Sequence, residues 1–253
     1  MVIETYLNFS VYPLNMEWEL YDHFEEKELN KKLWEVKILL PKENVRIETK
    51  NSKLILDATS SKEGLGFTPG EYYSARLGVW DPRYVGEAVR VIGKYNRIDG
   101  VKMMIKPLFS ESSGEGNAHL RAVSKNYCYL IGVNFKYNMK NKLENADLFV
   151  HIWDRKKGGY PKGGRIHHKD IFPESSEAII GLEWSEEGFF YGINERYTLY
   201  PIPFKEEETK IKEDSSLISQ QGPEFFDLKI DIYAKNQPSR IKAAIDWVKI
   251  KKI

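Results

Sequence analysis

Residues 148–153 read Leu148-Phe149-Val150-His151-Ile152-Trp153. Aliphatic residues at every second position, with aromatic ones between them, follow the period of a β-strand. Successive side chains of an extended chain point to opposite faces. The same period returns in Leu228-Lys229-Ile230-Asp231-Ile232 and in Val101-Lys102-Met103-Met104-Ile105-Lys106. Further strands are expected over Lys53–Thr59, Tyr72–Val79, Glu87–Tyr95, Tyr127–Phe135, Ala178–Trp184, Phe189–Ile193, Tyr197–Leu199 and Ala243–Ile250. Turn chemistry at Asp81-Pro82, Asp99-Gly100, Lys162-Gly163-Gly164 and Asn194-Glu195 separates them. Helical spacing is confined to Glu25–Trp34, where Leu29 and Leu33 stand four apart, and predicts one or two turns at most. Many strands joined by short turns specify an all-β fold, an antiparallel sandwich or barrel.

Three stretches read as loops: the small and polar Ser110–Asn117, the glycine-rich Arg155–Asp170, and the charged then polar Lys205–Gly222. None has the composition of an interdomain linker, and no repeat is found, so residues 1–253 are expected to form one domain. Lys plus Arg number 38 against 37 for Asp plus Glu, a net charge of +1 that excludes the broad basic field of a general nucleic-acid binder. With 42% hydrophobic and 13% aromatic residues, the chain has the material for a packed core. Its one cysteine, Cys128, excludes an internal disulfide and any cysteine-based metal centre. No run of about 18 apolar residues is present, so no membrane span is expected. Met1-Val2-Ile3-Glu4 lacks a signal pattern, which implies a cytosolic protein or a trimmed secreted or virion one. Charged residues at 30% and the scarcity of cysteine are a thermophile-like composition.

Taken in order, short landmarks resemble the concanavalin A-like jelly rolls of glycoside hydrolase family 16, the laminarinase and agarase group. Tyr21-Asp22-His23-Phe24 through Leu33-Trp34 is similar to that family's opening. Leu54-Ile55-Leu56-Asp57-Ala58, then Tyr73-Ser74-Ala75-Arg76-Leu77, is similar to its next two strands, and Gly86–Val91 followed by Gly100-Val101 to the pair after them. Gly181-Leu182-Glu183-Trp184 with Phe189–Asn194 resembles the family's "IEW" and "FYVDG" segments, and Ile245-Asp246-Trp247-Val248-Lys249-Ile250 its last strand. The resemblance implies a concanavalin A-like β-sandwich of two antiparallel sheets, one of them concave. The family's catalytic Glu-x-Asp-x-Glu pattern places two carboxylates in one cleft from alternate positions of one strand. The segment expected in that slot, Tyr127–Phe135, carries no carboxylate, and the family's cleft tryptophans fall on Lys102 and Lys106. No alternating triplet of acids occurs anywhere in the chain. A scaffold without that catalytic motif is therefore expected.

The face holding Phe149, His151 and Trp153 is the leading candidate for stacking sugar rings, although period two alone leaves open which face is inside. Tyr160 and His168, in the glycine-rich stretch, are the proposed additional contacts. Adjacent histidines on an extended chain point opposite ways, so at most one of His167 and His168 is expected to face a given site. Lys156, Lys157, Lys162 and Arg165 make this stretch locally basic, which would suit an anionic polysaccharide. The expected function is binding of a polysaccharide or glycan. A hydrolase with acids from Asp154, Asp170 and Glu115 is the enzymatic alternative, and a lyase using His151, Tyr191 and Arg90 is another. A structural or surface protein on the same sandwich is the third class. No cofactor is implied. A calcium held by backbone oxygens, common among relatives of this fold, leaves no sequence trace.

Overall fold

The structure, a computed structural model, describes residues 17–40, 42–60, 73–74, 79–80, 87–95, 98–137, 143–155, 158, 160, 164–168, 177–185, 188–200, 223–233 and 239–252. In chain order the strands are β1 (Glu19–Asp22), β2 (Trp34–Ile38), β3 (Val45–Thr49), β4 (Leu54–Thr59), β5 (Tyr73–Ser74) and β6 (Val79–Trp80). There follow β7 (Glu87–Gly93), β8 (Ile98–Pro107), β9 (Glu115–Val123), β10 (Tyr127–Tyr137), β11 (Leu143–Asp154) and β12 (Arg165–His168). The last five are β13 (Ala178–Ser185), β14 (Gly188–Ile193), β15 (Arg196–Leu199), β16 (Phe225–Tyr233) and β17 (Arg240–Lys252).

Among the described residues these strands form two large antiparallel sheets, with β5 and β6 paired to each other apart from them. One runs β15-β14-β13-β8-β17-β4-β3 with β1 added to β17, and the other β12-β11-β10-β9-β16-β7-β2. The alternation read from the sequence explains how they meet. Leu148, Val150, Ile152, Leu228 and Ile230 of the second sheet share one hydrophobic cluster with Val101, Met103, Ile105 and Ile245 of the first. Each such aliphatic side chain contributes about 1.5–3 kcal/mol on full burial. The result is a concanavalin A-like β-sandwich with the core between its sheets. Lys102 and Lys106 stand on β8, on the outer face of the first sheet. Lys102 there bonds Glu195 at 2.8 Å and lies 4.5 Å over the Trp18 ring.

Two loop expectations are corrected, and the helical spacing of Glu25–Trp34 yields a single turn: the Asn30 carbonyl accepts from the backbone N–H groups of Leu33 and Trp34. Trp34 then opens β2 because its ring is needed in the core against Tyr21, Phe24 and Phe226, with its indole N–H on Asp22 at 2.6 Å. Ser110–Asn117 is only partly a loop, since Glu115 begins β9. In Arg155–Asp170, residues 165–168 are a strand paired to β11. The expected loop Lys205–Gly222 and most of Tyr72–Val79 lie outside the described residues.

Candidate functional site

The site is built on the face of the second sheet that points away from the core. Strand register places its side chains in rows. One row runs Arg90, Lys229, His119, Gly132, Phe149, His167 across β7, β16, β9, β10, β11 and β12. The next runs Asp227, Arg121, Leu130, His151, Arg165. A third holds Asp231, Asn117, Asn134 and Asp147. Opposed residues of antiparallel neighbours share a face, which brings these distant segments together.

The centre of this face is buried although it is charged. Asp227 is 0% exposed and takes both hydrogen bonds of the Arg121 guanidinium, Nε to Oδ1 at 2.9 Å and Nη2 to Oδ2. Lys229, 5% exposed, reaches Asp231 at 3.0 Å. Burial pushes the Lys229 ammonium down to about 8 against the pull of Asp231. Burial also works against the charge of Arg121, but Asp227 outweighs it and holds that guanidinium above its ordinary value. His119 lies over Gly132, where an added Cβ would stand 2.2 Å from its own Cβ. It meets the Phe149 ring edge-on at 5.8 Å, and neither of its nitrogens has a hydrogen-bond partner among the described residues. Burial, then Lys229, Arg121 and Arg90, hold it well below the usual imidazole range.

Toward β11 and β12 the face opens. Phe149 is still buried, but His151, Trp153 and Tyr160 are partly exposed and Arg165 and His167 are exposed. Tyr160 folds back to meet Trp153 at 4.8 Å and 90°, and His151 at 5.3 Å. The Arg165 guanidinium covers the Tyr160 ring at 3.6 Å. His151 and His167 face each other through their Nε2 atoms at 3.1 Å, so one ring donates and the other accepts. Burial first, then His167, Arg165 and His119, push His151 down to about 2. His151 acts at neutral pH as an uncharged hydrogen-bonding group beside aromatic rings and the His167 ring, a surface suited to polyhydroxylated ligands.

Four of the five residues expected to bind sugar, Phe149, His151, Trp153 and Tyr160, are thus brought together. The fifth, His168, is not: it projects to the opposite side of β12, against Tyr191 at 5.7 Å, and His167 takes the place beside His151. Of the alternative acids, Asp154 falls on the core-side alternation at the buried end of β11. Glu115 shares the site face at the start of β9, and Asp170 lies outside the described residues. The trio His151, Tyr191 and Arg90 is split, since Tyr191 belongs to β14 in the other sheet. The residues that sequence reasoning missed are His119, Arg121, Asp227, Lys229 and Asp231, and of the two adjacent histidines the one that faces the site is His167. The slot assigned to Tyr127–Phe135 is β10, which presents Cys128, Leu130, Gly132 and Asn134. The alternating polar set is on its neighbour β9, as Glu115-x-Asn117-x-His119-x-Arg121.

This architecture is that of a jelly-roll sandwich of the kind found in glycoside hydrolase family 16. No protein-family model matches the chain, and no curated protein matches it by sequence. Among solved structures, it is similar to the laminarinase of Flavobacterium sp. UMI-01, with a TM-score of 0.56 and 16% identity over 94% of this chain and 100% of that one. The laminarinase catalytic domain of Thermotoga maritima MSB8 gives 0.55 and 15% over 94% and 99%. An immunostimulatory antigen and pseudo β-1,3-glucanase of Mycobacterium tuberculosis gives 0.52 and 12% over 92% and 97%. At these identities the likeness is one of fold.

Proposed function

We propose that this protein binds a polysaccharide or glycan at the β11–β12 end of the second sheet. The observation that carries this reading is the solvent-reaching group of Trp153, Tyr160, His151 and His167, one continuous surface of aromatic and imidazole rings. A sugar's C–H face packs on an aromatic ring, while its hydroxyls take hydrogen bonds from ring nitrogens. Retaining hydrolysis instead needs two carboxylates about 5–5.5 Å apart, one of them free to give a proton. Asp227 and Asp231 are each engaged by a cation, which favours binding over cleavage. The laminarinases among the structural neighbours make β-1,3-glucans the first ligands to try.

The test is a native affinity gel cast with β-glucans, agar-type galactans or uronate polymers, scored for retardation and for clearing. Retardation without clearing is expected. Trp153→Ala should reduce it by about tenfold or more in affinity while costing only about 1 kcal/mol of stability, since the ring is partly exposed. Clearing would assign hydrolysis, with Glu115 the next carboxylate to replace. A Trp153→Ala protein that melts far earlier than its parent would mean that this ring serves the core. No retardation on any matrix would remove the glycan reading.

A further inference from the structure

At one edge of the sandwich the last strands of the two sheets, β12 and β15, leave a mouth of about 500 Å³ lined by His168, Tyr191, Ile193, Asn194, Arg196 and Thr198. It opens on the side of β12 opposite to His151 and His167. Arg196 stands across from Ile193, and Thr198 across from Tyr191, so both project to the inner side of the first sheet. Arg196 is exposed and Thr198 half-buried, so this mouth opens to solvent past a cation and a hydroxyl.

The remaining groups are biased the same way. The Asn194 side-chain oxygen already accepts from the Ile179 backbone N–H at 3.0 Å, which leaves its amide N–H₂ to donate. Glu195, next in the turn, bonds Lys102 at 3.0 and 2.8 Å on the outer face, so no carboxylate lines the mouth among the described residues. His168 Nε2 is shut off from solvent and has no hydrogen-bond partner among the described residues. Burial holds the His168 imidazole below its ordinary value and the Tyr191 phenol above its own, so the first stays neutral and the second protonated. The Tyr191 ring and Ile193 supply an apolar wall.

We propose that this mouth binds an anionic group, a carboxylate or a sulfate ester, carried on a sugar-sized ring. Arg196 supplies the charge, and the Asn194 amide and the Thr198 hydroxyl supply the hydrogen bonds, with the His168 ring in the wall beside them. The ring of the ligand lies against Tyr191 and Ile193. A charge-assisted bond to a guanidinium is about twice as strong as a neutral one, which sets the preference for an acid over a neutral sugar.

Calorimetric titration with glucuronate, glucose 6-sulfate and glucose tests this, alongside spectra of protein labelled at its five histidines. At least one acidic sugar should bind tenfold or more tightly than glucose and shift the His168 resonance while sparing His151 and His167. The two acids tell carboxylate from sulfate. Arg196→Met should weaken that binding tenfold or more without changing the spectrum elsewhere, and Thr198→Val should weaken it with Arg196 intact. Equal binding of glucose, indifference to Arg196→Met, shifts confined to His151 and His167, or no response to either acid would each overturn the proposal. Because the mouth and the β11–β12 face lie on opposite sides of β12, failure here leaves the affinity-gel result standing.

Discussion

The buried charge at the centre of the second sheet gives the sharpest prediction. Arg121→Met keeps most of the side-chain volume but removes the guanidinium that donates twice to Asp227. Asp227 is 0% exposed, so water cannot take its place, and Lys229 is already engaged by Asp231. Breaking a buried pair by removing one partner costs about 3–5 kcal/mol, because the other charge is left uncompensated. For a chain of 253 residues that corresponds to a fall in Tm on the order of 10 °C, at roughly 2–4 °C per kcal/mol. Urea denaturation followed by tryptophan fluorescence measures the loss. The double variant Arg121→Met with Asp227→Leu removes both charges and should recover most of it, giving a coupling energy of about 2 kcal/mol or more. If Arg121→Met instead stays within about 1 kcal/mol of the parent and shows no coupling, water reaches Asp227. The centre of the face would then be open groove, and the binding surface would extend across β9 and β16.

Two further outcomes follow from the same face. Gly132→Ala should cost about 3 kcal/mol, since its methyl would meet the Ala118 carbonyl oxygen at 2.5 Å as well as His119, and backbone cannot yield as a flexible side chain can; a loss below about 1 kcal/mol in the same denaturation assay would mean that β9 and β10 are spaced more widely. His151, pushed down to about 2, stays neutral in the fold while the unfolded imidazole takes up a proton below about 6.5. Its contribution is therefore complete above pH 6.5 and is lost as pH falls toward 2, by up to about 1.4 kcal/mol per pH unit. His151→Phe should lose stability less steeply than the parent between pH 6 and pH 4, and parallel curves would show that the ring is solvated.

How far each feature was legible depended on the range of the interaction that makes it. The two-sheet fold was readable because Leu148, Val150, Ile152, Leu228, Ile230 and Ile232 obey a local period, and period two also put His151 and Trp153 on one face together. It could not say that Lys229 and Asp231, in the same pattern, are buried. Their burial depends on ion pairs with cross-strand context, as in Arg121 and Asp227, which are 106 residues apart. β9 escaped notice because Gly116, Ala118 and Ala122 are weak strand formers and Glu115, Asn117, His119 and Arg121 are polar, which leaves only Leu120 and Val123 to signal a strand; pairing to β10 and β16 makes it one. The fate of the adjacent histidines turned on whether 165–168 is extended and in which register. Once Phe149 pairs with His167, His167 must face the site and His168 the mouth.

A closed centre and an open end have a consequence for how a ligand is held. If His119, Asp227, Lys229 and Asp231 are sealed, the contact surface spans little more than β11, β12 and the returning Tyr160, about 10 Å across at a strand spacing of roughly 4.8 Å. Trp153 and Tyr160 meet at a right angle, so they form a corner that offers a ring face on one wall and an edge on the other. Tyr160 packs on Trp153 and His151 and is covered by Arg165, so these rings are held before any ligand arrives and little entropy is lost on docking. A short, rigid corner binds a single sugar unit weakly, and free oligosaccharides should register feebly in calorimetry. A polymer presents the same unit many times over, and rebinding along the chain multiplies the apparent affinity. Retardation by a polysaccharide matrix should therefore appear at polymer concentrations where the matching short oligosaccharide shows no binding. Equal affinity for the two, unit for unit, would instead require a long groove and an open centre, the same outcome that a silent Arg121→Met would report.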